Sequence, residues 1–169
     1  MRRSPGLLYV SAVTVTLCLS GVARAAITAE DRDFFMKAAQ SNVNEIRLSL
    51  LAKAKASRPE VKAFAGKIVT DQRMFQKKLQ AFAILWSITP PTKIDAKHRD
   101  AYKKLRRLSG AAFDKAYMDL MDTDHNSILE AFTHEADVAS DPDFKSTVIS
   151  EKSVLAANTN MADDLKSKL

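Results

Sequence analysis

Apolar residues recur along most of this chain at alternating steps of four and three, the spacing of one face of an α-helix. Thr28-Ala-Glu-Asp31 opens the first stretch with a hydroxyl cap and acids in the first turn. Phe35, Ala39, Val43, Ile46 and Leu50 then form a stripe on a helix predicted to run to about Ala56. Ser57-Arg-Pro-Glu60 breaks it and restarts the next helix, with Ser57 and Glu60 at capping-box spacing. The second stripe is Val61, Ala65, Ile68, Phe75, Leu79 and Phe82, ending near Trp86. Ile88-Thr-Pro-Pro-Thr92 is the longest non-helical connection, followed by a short basic helix from about Asp95 to Leu108. Ser109-Gly110 opens a third long helix through Phe113, Tyr117, Met121, Ile128 and Phe132. Ser140-Asp-Pro-Asp143 repeats the cap-and-proline device before a fourth, through Phe144, Val148, Leu155, Ala162 and Leu165.

These stripes predict an all-α protein of two antiparallel helical hairpins, 29–86 and 110–168, each closed by a tight proline turn. The long helices are roughly 40–45 Å at 1.5 Å per residue. Tight turns force antiparallel neighbours, whereas the longer segment with its short helix lets the second hairpin enter in another direction. That is a ferritin-like four-helix bundle with one crossover; a plain up-down-up-down bundle is the alternative.

Composition changes the picture at the N-terminus. Arg2 and Arg3, an apolar run from Leu7 to Leu19 and Ala23-Arg24-Ala25 have the three-part layout of a secretory signal peptide. Residues 1–25 are therefore expected to be removed after Ala25, with 26–169 as the folded domain; an uncleaved anchor is the competing reading. The formal charge of the 169-residue chain is +6, and the leader holds three of its Arg residues and its one Cys. A thiol-free mature chain of net charge +3 suits an oxidising compartment, and the periplasm is the expected location.

Polar residues on apolar stripes carry the chemical information. Gln72 interrupts the second stripe, Glu151 and Asn158 the fourth, and Asp124 the third with His125 beside it, while Glu45 flanks Ile46 on the first. Measured from the two proline turns, Glu45 and Gln72 lie about 12 to 15 residues away and His125 and Asn158 about 15 to 18. All four helices thus place a polar residue near mid-bundle.

Phe34-Phe-Met-Lys-Ala-Ala39 with Glu45, and Ala56-Ser-Arg-Pro-Glu-Val-Lys-Ala-Phe-Ala65, resemble a known family. So do Ile68-Val-Thr-Asp71, Leu108-Ser-Gly-Ala-Ala-Phe-Asp114, Ala116-Tyr-Met118, Asp124-His125 and Asp141-Pro142. The family is domain of unknown function 4142 (DUF4142), secreted ferritin-like bacterial proteins often labelled as outer-membrane proteins. The resemblance implies that fold and export to the periplasm, and no activity. Where the family looks to carry His on the second and fourth helices, this chain has Gln72 and Asn158.

A di-iron site of the ferritin-like kind needs about four carboxylates and Glu-x-x-His pairs. No Glu-x-x-His occurs here, and amides are weak ligands for iron and zinc. The expected arrangement is a buried hydrogen-bond network of Glu45, Gln72, Asp124, His125 and Asn158, with no cofactor. A transition metal held by Glu45, Asp124 and His125, in a metal-binding or redox stress protein, is the alternative. His98 and His134 fall on polar faces and are expected in solvent. Met36, Met74, Met118, Met121 and Met161 are expected as core filler, not copper ligands. There is no Gly-rich phosphate loop, Gly-x-Ser-x-Gly or His-Glu-x-x-His, so a non-catalytic role is favoured over an enzyme.

Charge is divided between the hairpins. Residues 26–108 hold 18 Lys and Arg against 8 acids, and residues 109–169 hold 5 against 12. The densest basic patch is Lys97, Arg99, Lys103, Lys104, Arg106 and Arg107 on the short helix. It reads either as a solvated face drawn to the acidic hairpin or as a dock for anionic lipid or polysaccharide at the envelope. Export disfavours nucleic acid as a partner; a protein or another envelope component fits.

Overall fold

A computed structural model describes residues 27–169; the expected leader, with Cys18, lies outside the described residues. Five helices and no strand are present among them. α1 (Ala29–Lys55) begins with a reciprocal capping box: Thr28 Oγ1 accepts from the Asp31 amide at 3.0 Å, and Asp31 accepts from the Thr28 amide. α2 spans Pro59–Leu85, α3 Ala96–Arg107, α4 Gly110–Val138 and α5 Pro142–Ser167. Gly110 sits at φ +58, in the left-handed region that the turn from α3 into α4 demands.

Each long helix has two long neighbours: α1 packs on α2 and α4, and α5 on α4 and α2. Both cross-hairpin pairs are antiparallel. Phe34 near the start of α1 meets Phe132 near the end of α4, and Phe82 near the end of α2 meets Phe144 at the start of α5. The segment from Ile88 to Ser109 carries the chain back along the bundle, with α3 resting on α1 and α4.

The two proline turns are built alike. Ala56-Ser57-Arg58-Pro59 and Ala139-Ser140-Asp141-Pro142 each present a serine to a buried aspartate on the other hairpin. Asp114 accepts from the amides of Ser57 and Arg58, both at 2.8 Å, and from Ser57 Oγ. Asp31 accepts from the Ser140 amide at 3.2 Å and from Ser140 Oγ. The expected Ser57–Glu60 capping box therefore does not form. The serine is taken by the Asp114 side chain from α4, and α2 begins at Arg58 without a side-chain cap.

The interior is two apolar cores. One gathers Phe34, Phe35, Phe82, Phe132 and Phe144, with Trp86 packed against them; the Trp86 and Phe144 rings meet edge to face at 4.8 Å. The other gathers Leu48, Val61, Phe64, Phe113, Tyr117 and Met121. The stripes expected on α2, α4 and α5 face these cores. That on α1 is rotated: Phe35 and Ala39 are buried, but Val43 and Ile46 are half-buried and Leu50 is 37% exposed. Ala38, Asn42, Glu45, Leu48 and Ala52 face inward instead. The polar belt draws Asn42 and Glu45 inside, and the helix turns to follow. Met118 and Met121 fill the core as expected, whereas Met36, Met74 and Met161 are exposed on outer faces.

Candidate functional site

Between the two cores lies a polar layer centred on Glu45, a carboxylate buried on α1. Gln72 Nε2 on α2 donates to Glu45 Oε2 at 2.6 Å, and Ser41 Oγ, one turn before, donates to Oε1 at 3.1 Å. Asn42 Nδ2 holds Gln72 in place through its side-chain oxygen at 2.7 Å and its backbone oxygen at 2.6 Å. From α4, His125 Nε2 lies 3.3 Å from Glu45 Oε2. Burial opposes a charge on this imidazole, but the Glu45 carboxylate wins and raises its pKa above the ordinary value. His125 Nδ1 is buried without a hydrogen-bond partner. A cavity of about 10 Å³ beside Glu45, Gln72 and Glu151 is room for about one water.

The other expected members of the layer are placed apart. Asn158 on α5 accepts from Lys67 Nζ at 2.9 Å and donates to Asp71 at 3.1 Å, closing a polar group between α2 and α5. Glu151 is buried, with Lys78 at 3.9 Å as its cation; burial pushes its carboxyl up to about 7. Asp124 turns away from Glu45 toward α3, where it accepts from Lys97 Nζ at 3.0 Å and pairs with His98 Nε2 at 3.0 Å.

His98 corrects the expectation of a solvated histidine. It is buried and bridges two carboxylates, with Nδ1 2.8 Å from Asp95 and Nε2 on Asp124. Asp95 also caps α3 and accepts from Asn44 Nδ2 on α1 at 2.7 Å. The Asp124 hydrogen bond, then Asp95, raise the His98 pKa against the opposing effect of burial. Asp124 is held below the usual carboxylate range despite its burial, by His98 and then Lys97. His134 is exposed as expected and pairs with Glu30 at 2.8 Å.

Sequence reasoning missed Asn42, Asn44, Asp71, Asp95 and His98. Asn42 had a readable signal, since it stands three residues before Glu45 on the same face. His98 had none, because its burial depends on where α3 lands.

The residues do not fit the di-iron group that a ferritin-like resemblance implies. Glu45 and His125 meet, but Asp124 is committed to α3, and amides stand where further ligands are needed. No cluster of three or more His, Cys, Asp or Glu suited to a metal exists among the described residues. The basic patch is split. Lys97 serves Asp124, Arg99, Lys103 and Arg106 face a groove against α1 and α2, and Lys104 and Arg107 are exposed elsewhere on α3.

An all-helical fold with a closed polar layer and a basic connector defines the class of protein. The crystal structure of a DUF305 fragment from Deinococcus radiodurans is similar in fold, with a TM-score of 0.76 at 15% identity, covering 85% of this chain and 99% of that one. Among curated proteins, none matches the sequence. Residues 17–165 match the family described as a domain of unknown function (DUF4142), and the chain belongs to that family. Among the described residues, no helix is long and apolar enough to cross a membrane.

Proposed function

We propose that this chain is an exported, periplasmic bundle of ferritin-like crossover topology that serves the cell envelope by structure or interaction, without catalysis. The observation that carries this reading is the state of Glu45. Its oxygens are taken by Gln72, Ser41 and His125, so the position a metal would need is occupied by a hydrogen-bond network. Such a network fixes the register of α1, α2 and α4, because a one-turn slip would bury Glu45 without partners. The packing of α1 on α4 and of α2 on α5 supports the crossover topology. The leader-like residues 1–25 support export.

A second reading, metal binding in a stress response, draws on the unpartnered Nδ1 of His125. Elemental analysis of the purified protein separates the two. Substoichiometric iron, zinc, copper and manganese, with a melting temperature indifferent to added metal, is the expected result. Stoichiometric metal that disappears on His125→Ala would overturn it.

A further inference from the structure

The rotated stripe of α1 faces a groove. Val43, Ile46 and Leu50, with Leu79 of α2, floor an open groove of about 1070 Å³ between the first hairpin and the connector. The opposite wall is Pro90, Pro91 and the α3 face bearing Tyr102. Six cations line it: Arg47, Arg73, Lys93, Arg99, Lys103 and Arg106, with no carboxylate among the lining residues. Only Lys103 of the six has an acidic partner among the described residues, Asp100 at 3.1 Å. Arg47 is held over the Tyr102 ring at 5.2 Å.

Apolar floor and a cationic rim with five of six charges unpaired among the described residues are the two halves of one recognition problem. The floor gains from covering a hydrocarbon chain, and guanidinium forks bind carboxylates bidentately. The volume lies just above the roughly 300–1,000 Å³ typical of small-molecule sites. We propose that this groove binds a fatty-acid anion of about twelve carbons, with its chain along Val43, Ile46 and Leu50 and its carboxylate among the arginines. A polysaccharide has no need of the apolar floor. A flat bilayer surface does not reach the floor of a groove walled on one side by the connector. The groove meets the Glu45 layer only at Asn42, and none of the groove's cations belongs to that layer, so the proposal stands or falls independently of the proposed function.

The test is calorimetric titration of the purified protein with laurate below its micellar concentration, alongside uncharged dodecanol and short-chain acetate. About one laurate per chain is expected, at least about tenfold tighter than dodecanol, weakened by salt, with no acetate binding. Arg73→Glu with Arg106→Glu is expected to weaken laurate about tenfold or more and leave dodecanol unchanged, in a protein whose circular dichroism and melting match the parent. Ile46→Glu is expected to weaken both. Equal affinity for laurate and dodecanol, laurate binding unaffected by the double charge reversal, or no laurate binding would each overturn the proposal. So would co-sedimentation with anionic vesicles that depends on Arg73 and Arg106 and is not displaced by laurate.

Discussion

The buried carboxylate of Asp114, on α4, accepts the Ser57 amide at 2.8 Å and so caps a turn that belongs to the other hairpin. Asp31 does the same for Ser140 at the opposite end of the bundle. Each hairpin thus finishes the other's turn, which ties the halves together at both ends.

Removing either clamp strands two or more donors that lose their acceptor. Asp114→Ala is expected to cost about 2–4 kcal/mol, and Asp31→Ala a similar amount. The two sites are a bundle length apart, so their effects should add within about 0.5 kcal/mol. Denaturant unfolding of the singles and the double measures this, and strong non-additivity would contradict two independent clamps.

At mid-bundle, Glu45→Ala leaves His125 and Gln72 facing a void and is expected to cost about 3–5 kcal/mol. Glu45→Leu combined with His125→Leu removes charge and counter-charge together and should lose less than the sum of the singles, by more than about 1 kcal/mol. A double-mutant cycle reads that coupling directly. Additive losses would mean that Glu45 and His125 do not act as a pair.

Stability should fall as pH rises from about 5 to 8. Glu135 is pushed up to about 7, first by burial and then by the neighbouring Asp31 carboxylate, and burial pushes Glu151 up to about 7. A carboxyl of higher pKa in the folded state than in the unfolded binds more protons when folded, and that advantage fades as pH climbs through the folded value. His98 and His125, both raised, lose their contributions in the same direction above their ordinary value of 6.5. Asp31, Asp95 and Asp124 are lowered, so what they contribute is lost only in stronger acid, below about 4. Melting temperature is therefore expected to peak in mild acid. Glu135→Gln and Glu151→Gln should flatten the decline toward pH 8; an unchanged profile in both would refute the assignment.

His98 is the fastening of the connector. Its replacement by Ala leaves Asp95 and Asp124 without their bridge, while neither apolar core is touched. Amide exchange in α3 is expected to quicken by roughly tenfold or more, with α1, α2, α4 and α5 little changed. Exchange that rises uniformly across the chain would show that His98 supports the bundle itself.

The helices were legible because their signals are local. Proline after a short polar turn, a hydroxyl cap and a period near 3.6 each act within a few residues. Gln72 and Asn158 could be identified as buried for the same reason, standing where the stripes of α2 and α5 require an apolar residue. Asp124 illustrates the limit. Its burial followed from the stripe, but its partner did not, because Lys97 and His98 arrive on a connector whose path no local rule fixes.

The sequence by itself determined an all-α chain, its four long helices and short basic fifth, its proline turns and the height of its polar belt. Tertiary structure decided which carboxylate meets which cation, that Ser57 caps through Asp114, and that the α1 stripe of Val43, Ile46 and Leu50 faces a cationic groove. The physical reason is range. Periodicity and capping are set by neighbours along the chain, whereas a side chain between two faces of a helix is drawn inward or outward by whichever partners the other elements bring.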